Sequence, residues 1–289
     1  MCASAPIMSS SEQVLRPTAE LALSRVDVLT PEDLRDLARA RALLEYPSLV
    51  IRIANLVGWP IEKAFELLPR SAAGAVDKLT RGALNAALGV SIATLRNDPR
   101  REASTAGHKL FVAATGAIGG AFGFVSLPIE LPISTAIMLR AIADVARSEG
   151  HDLASPQTKL ACLEVFALGG RSHADDAAES SYLAVRAALS RAVSEAAAFI
   201  AERGFVEEGS PALVRFVAVV ASRLGVIVSE EAAAQAIPLI GAIGGLSVNL
   251  LFIGHFQKMA RGHFIVKRLE ARYGEAVVRE QYRKLGARS

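Results

Sequence analysis

The chain has 289 residues and a formal net charge of +3, with 32 Lys plus Arg against 29 Asp plus Glu, and 52% of it is hydrophobic. That much apolar side chain excludes a disordered chain, and the length supports a sizeable core in one large domain or two packed halves. Two cysteines, Cys2 and Cys162, exclude a disulfide framework and a cysteine-only metal site, while an aromatic content of 6% without a recognition motif argues against a nucleic-acid partner.

The first basic residue is Arg16 and no apolar run precedes it, so a cytoplasmic protein without a secretory signal is expected. Thr30-Pro31-Glu32-Asp33 reads as an N-cap, a proline at the first helical position and acids in the first turn. Leu34, Leu37, Ala38, Ala40 and Leu43 follow at helical spacing. Gly58-Trp59-Pro60 breaks the next segment, and an amphipathic stretch runs from Ser71 to Arg96 until Asn97-Asp98-Pro99. Ser155-Pro156 and Ser210-Pro211 repeat the cap-then-proline start, and Gly150, Gly204 and Gly225 are expected at helix ends. Asp175 to Arg203 reads as one long alanine-rich helix. No stretch alternates with period two, so the fold is expected to be all-α, a multi-helix globule. Residues 1–70 read as an N-terminal helical extension and residues 71–289 as the main helical domain.

Two runs carry no formal charge, Leu110 to Ile129 and Ala232 to Gln257, and each is long enough as a helix to cross ~30 Å of hydrocarbon. Pro128 and Pro238 interrupt them, and Gln235, Asn249 and His255 place polar groups in the second. These features favour buried or membrane-dipping helices over true spans. Gly116-Ala117-Ile118-Gly119-Gly120 recurs as Gly241-Ala242-Ile243-Gly244-Gly245. Gly116 and Gly120, Gly119 and Gly123, and Gly241 and Gly245 lie four apart, which makes a flat strip on a helix where a second backbone can approach. Two glycine-rich apolar helices at the centre of the globule, packed on each other or on a lipid-facing partner, are expected.

From Lys258 to Ser289 nine basic residues stand against three acids. Lys258, Arg261, Lys267, Arg268, Arg272, Arg279 and Arg283 are the candidate contacts to an anionic membrane surface, with a solvated helix face as the plain alternative. No phosphate-cradling loop, zinc helix or nucleophile elbow occurs, and no cofactor or metal is expected. Glu130, flanked by Pro128 and Pro132, precedes a helix with Arg140 and Asp144 four apart on one face. A buried Glu–Arg–Asp network is the favoured reading; a hydrolase pocket using these residues with His263 is the alternative. His173, Asp175, Asp176 and Glu179 read as a helix N-terminus with acids in its first turn in preference to a metal site. Cys162 reads as core.

Three blocks in order, Glu130-Leu131-Pro132 through Met138-Leu139-Arg140-Ala141-Ile142-Ala143-Asp144, Leu163-Glu164-Val165-Phe166-Ala167-Leu168-Gly169-Gly170, and Gly241 through Asn249 to His255-Phe256-Gln257, Ala260-Arg261-Gly262-His263-Phe264 and Arg268-Leu269-Glu270, resemble the EcsC protein family. The resemblance covers roughly Val76 to the C-terminus. It implies a bacterial, helical protein named for a component encoded beside an ABC transporter, with no firmly assigned reaction. It nominates Glu130, Arg140, Asp144, Asn249, Arg261 and His263 as the polar motif residues. The expected function is a non-enzymatic, membrane-associated accessory protein, peripheral on the cytoplasmic face of the inner membrane. Its partner would be the anionic surface or a membrane protein; a hydrolase and a small-lipid carrier are the alternatives.

Overall fold

Thr30 opens the first helix: its hydroxyl oxygen accepts from the Asp33 backbone N–H at 3.1 Å, and Pro31 occupies a position where no N–H is needed. The computed structural model describes residues 29–45, 72–91, 127–168, 181–203, 211–235 and 245–287. Among them are eight helices and no strand: α1 (Pro31–Leu44), α2 (Ala72–Ser91), α3 (Leu127–Ser148), α4 (Pro156–Leu168), α5 (Ser181–Arg203), α6 (Pro211–Gln235), α7 (Gly245–Tyr273) and α8 (Glu275–Gly286). The all-α reading therefore holds. α4 and α6 begin at Pro156 and Pro211, as expected, while Ser210 lies outside the described residues.

Glycine ends two helices by left-handed backbone. Gly150 has φ +88°, and two bonds close α3 there: His151 N–H to the Ala146 carbonyl at 3.0 Å and Gly150 N–H to the Arg147 carbonyl at 2.9 Å. Gly274, at φ +87°, separates α7 from α8. Gly225 does not end a helix; it lies inside α6. The roughly 1 kcal/mol that one interior glycine costs is offset by Phe216, Val220, Leu224, Ile227 and Val228, which that helix buries. Nor do Pro128, Glu130 and Pro132 mark a break, because α3 runs through them. Pro132 sits early enough that its missing N–H costs the helix one bond near its start.

One core joins all eight helices, and α4 is its centre. Thr158 and every residue from Leu160 to Ala167 are buried, including Cys162, because α3, α5, α6 and α7 pack around α4. A helix apolar on all sides has no solvent face to present. Phe166 of α4 meets Phe256 of α7 edge-on, with ring centroids 5.1 Å apart. α2 bridges α3 and α6 on one flank, and α1 packs on α7 and α8 on another. The helix from the N-terminal extension thus shares the main core; the boundary at residue 70 lies outside the described residues.

The glycine strips Gly116, Gly119, Gly120, Gly123, Gly241 and Gly244 lie outside the described residues, and Gly245 begins α7. In the second apolar run Phe252, Ile253, His255, Phe256 and Gln257 of α7 are buried in the protein interior. The close glycine approach that the structure describes is at Gly262. A Cβ there would stand 2.6 Å from Leu44 Cγ and 2.9 Å from the Ala40 carbonyl oxygen of α1. Leu44 can yield, but the carbonyl belongs to helix backbone. Gly262→Ala is expected to destabilise the protein by about 1–3 kcal/mol in denaturant unfolding, against the ordinary preference of helices for alanine. Gly225→Ala, where nothing lies within 4 Å, is expected to be neutral or stabilising by up to ~1 kcal/mol. Equal effects at the two sites would rule out the close approach.

Candidate functional site

The polar residues of the core converge on the one carboxylate that α4 carries into it. Glu164 sits among eight consecutive buried positions and is itself 4% exposed. An unpaired carboxylate there would be severely destabilising. α7 answers with His263, Lys267 and Glu270, spaced four and three apart on one face. His263 Nε2 lies 3.3 Å from Glu164 Oε2, and Lys267 Nζ lies 3.5 Å from the same oxygen. α5 contributes Tyr182 and Arg186, again four apart. The Tyr182 hydroxyl is 3.1 Å from His263 Nδ1, and Arg186 grips Glu270 with bonds of 2.5 and 3.1 Å.

From there the chain of contacts reaches both terminal helices. The Tyr182 ring packs on Tyr282 of α8 at 5.5 Å between centroids. The Tyr282 hydroxyl donates to Glu45 at 3.1 Å, and Arg41 of α1 donates to the Tyr282 carbonyl at 2.8 Å while lying over its ring.

Charge states follow from these neighbours. Burial alone would push the Glu164 carboxyl up, but the His263 contact and the positive charges of Lys267 and Arg186 outweigh it and hold the carboxyl down to about 2. Burial dominates at His263 and lowers it to about 4, against the pull of Glu164 in the other direction. At neutral pH the pair is therefore a carboxylate and a neutral imidazole. Nε2 faces the Glu164 carboxylate and Nδ1 faces the Tyr182 hydroxyl, so a proton on Nε2 suits both neighbours. Burial raises Tyr182 and keeps it a phenol. The arrangement links α4, α5 and α7 and, through the Tyr182–Tyr282 ring contact, α8. Its His263 is fully buried and Tyr182 and Glu164 nearly so, which suits holding helices together and not meeting a substrate.

A second polar seam follows the opposite stripe of α7, where Lys258, Arg261, Arg268 and Arg272 recur at helical spacing. These were expected as free cations for an anionic surface, but three of them meet carboxylates of the chain itself. Arg261 pairs with Glu149 at 3.2 Å, Arg268 with Asp36 at 2.6 Å and Glu149 at 3.9 Å, and Arg272 with Asp33 at 3.0 Å. Lys267 is committed to Glu164, and Arg279 pairs with Glu275 at 3.8 Å along α8. Asp33, buried although charged, is held below the usual carboxylate range first by the Tyr273 hydroxyl, at 2.5 Å, and then by Thr30 and Arg272. Arg283 is exposed on α8.

Of the residues expected to form an acid–base pocket, Glu130, Arg140 and Asp144 lie on the single helix α3. Arg140 is exposed, and Asp144 is buried in an ion pair with Arg147. His263 is paired with Glu164 and Tyr182, neither of which belongs to that group. The side chains of Glu130 and Asn249, and the residues from His173 to Glu179, lie outside what the structure describes. Sequence reasoning missed Glu164, Tyr182, Arg186 and Arg147. A charged residue in the middle of an apolar helix, and the four-residue steps from Tyr182 to Arg186 and from His263 to Lys267, were the signals available.

The EcsC protein family model matches residues 56–269, which include α2 to α6 and most of α7. α1 and α8 lie outside the matched segment. No curated protein and no solved structure matches the chain.

Because His263 is lowered from 6.5 to about 4, the unfolded chain takes up a proton between those values that the folded protein refuses. The stability this group contributes is complete above pH 6.5 and is lost as pH falls toward 4. Glu164, lowered from 4.5 to about 2, adds a loss below pH 4.5. Unfolding midpoints measured from pH 8 to pH 4 are expected to fall below pH 6.5. His263→Gln should lose about 1–3 kcal/mol at pH 7 and show a shallower slope between pH 6.5 and 4.5. A slope as steep as that of the parent protein would place the titration elsewhere.

Proposed function

On the premise that this chain belongs to the EcsC protein family, we propose that it is an accessory protein that docks peripherally on an anionic membrane surface through the outer face of α6. One observation carries the reading. The segment Pro211–Ser229 of α6 has mean hydropathy 1.9 over a length that would span a bilayer, yet only 39% of it is buried in the protein. Among the described residues it is the one helix long and apolar enough to cross a membrane. A core helix of that composition is normally enclosed. Here Val214 and Val226 stand exposed at 53% and 44%.

The charges within the segment are the argument for an anionic surface over a neutral one. Both charges between Pro211 and Ser229, Arg215 and Arg223, are basic, and Arg191 of the adjacent α5 is exposed. Apolar side chains flanked by basic ones suit a helix lying in the headgroup layer, with each basic residue worth about 1 kcal/mol near an anionic surface. The arginines of α7 meet carboxylates of their own chain, and Arg191 and Arg215 likewise share Glu195, at 3.0 and 3.1 Å, so in this reading the electrostatic contribution is the smaller part and the apolar positions of α6 carry the attachment.

Sedimentation with phosphatidylglycerol-containing vesicles tests the proposal. Binding is expected for the native chain and a loss of at least tenfold for Val214→Glu with Val226→Glu, with helical content and unfolding midpoint retained. Arg215→Gln with Arg223→Gln should weaken binding to anionic vesicles alone. Native protein that stays in the supernatant, or valine variants that bind as before, would sink the reading.

A further inference from the structure

We infer that Glu195 of α5 is a built-in counterion that holds Arg215 back from the membrane-facing side of α6, and that the phosphate of an anionic lipid headgroup takes its place. This rests on the membrane reading and adds to it the contact that regulates the attachment.

The exposed positions between Pro211 and Ser229 are Pro211, Val214, Arg215, Ser222 and Val226. Steps of seven from Arg215 to Ser222 and of four from there to Val226 keep these three on one stripe, with Val214 beside them. Arg215 is therefore the cation that stands among the valines, while Arg223 is only partly exposed. Glu195 reaches it from the neighbouring helix. Its Oε2 lies 3.1 Å from Arg215 Nη2, and its Oε1 takes Arg191 Nε at 3.0 Å, so each carboxylate oxygen is engaged by one arginine. The acid is the enclosed member of the trio: its side chain is 34% exposed, against 65% for Arg215 and 91% for Arg191. Arg191 and then Arg215 hold its carboxyl below the usual range, so it is ionised at neutral pH and the trio presents one net positive charge instead of two.

This contact is strong enough to mask a charge and weak enough to exchange it. Ion pairs with arginines this exposed are screened by salt and hold loosely. Within α5 the base precedes the acid by four residues, the less favourable order along a helix. A lipid phosphate offers Arg215 a paired, charge-assisted contact of the same kind. The field of an anionic leaflet draws the guanidinium outward and repels the Glu195 carboxylate, so both members of the pair favour the exchange there. A neutral surface supplies no such field, and Arg215 stays on Glu195. Free phosphate would satisfy Arg215 but has nothing for Val214 and Val226. The contact thus makes attachment depend on how much anionic lipid the surface holds.

The test is sedimentation of the full-length protein with phosphatidylcholine vesicles of rising phosphatidylglycerol content. Glu195→Gln is expected to bind about fivefold more tightly than the native chain at equal phosphatidylglycerol content, the gain of one unmasked basic residue, and no more tightly to phosphatidylcholine alone. Glu202→Gln, the same charge change at an exposed position of the same helix, should give a smaller gain. Adding Arg215→Gln to Glu195→Gln should remove the gain. With native protein bound, a Glu195→Gln protein that binds no better, a gain matched by Glu202→Gln, or a gain that survives the loss of Arg215 would overturn the inference and leave the membrane reading standing. Failure of both the native and the Glu195→Gln proteins to bind any of the vesicles would overturn the two together.

Discussion

A carboxylate in the middle of a helix with no solvent face is the constraint on which this fold turns. Glu164 is carried by α4, and α4 is enclosed by α3, α5, α6 and α7. An ionised group in that position must be met by opposite charge and hydrogen-bond donors or the packing around it fails. The enclosing helices therefore cannot be interchanged by shape alone. α7 must present His263 and Lys267 at the level of Glu164, and α5 must present Tyr182 at the level of His263. Apolar helices slide past one another at little cost, while a row of matched polar groups has a single register. That division of labour, area for stability and polar contacts for register, accounts for the placement of the most buried polar groups.

α7 is the element through which this constraint reaches the rest of the molecule. One stripe of it serves Glu164 and Arg186 of the core, and another carries the arginines that meet α1 and the end of α3. Gly262 lies immediately before His263, so the position that admits the α1 backbone is one peptide away from the residue that pairs with Glu164. The two polar systems also meet across Tyr182 and Tyr282, whose stacked rings join the α5–α7 cluster to Arg41 and Glu45 of α1. A displacement of α1 would be felt at Tyr282 first, because both the ring and the carbonyl of that residue are held by Arg41.

Local punctuation made the helices legible and long-range partners hid the site. The Thr30 cap and the prolines at Pro31, Pro156 and Pro211 act within one turn of backbone, so their reading needed no knowledge of the fold. Gly150 was read correctly for the same reason, and Gly225 wrongly because burial of its apolar neighbours overrides one unfavourable residue. The arginines from Arg261 to Arg272 looked like an open basic surface, since their carboxylates lie more than a hundred residues away, at Glu149, or more than two hundred, at Asp33 and Asp36. Asp33 was assigned to the first turn as a dipole-compensating acid; it is that, and it is also a buried partner of Arg272 and Tyr273. α6 escaped notice because Arg215 and Arg223 divide it into stretches too short to stand out as charge-free.

The contrast between α6 and α4 is what the proposed docking face rests on. The two helices pack against each other and both are rich in aliphatic residues, yet α4 is wrapped on every side and α6 is covered on one. Val214 and Val226 lie outside the buried core, so the core does not require aliphatic residues at these positions. The exposed positions of that helix, Pro211, Val214, Arg215, Ser222 and Val226, form a mixed apolar and polar face, and the proposed docking rests on its two valines. Arg191 and Arg215 share Glu195 between α5 and α6, so part of the basic character at this edge is already balanced within the chain. α4 serves both flanks: it packs against α6, its Phe166 meets Phe256 of α7, and its buried Glu164 pairs with His263 and Lys267 of α7.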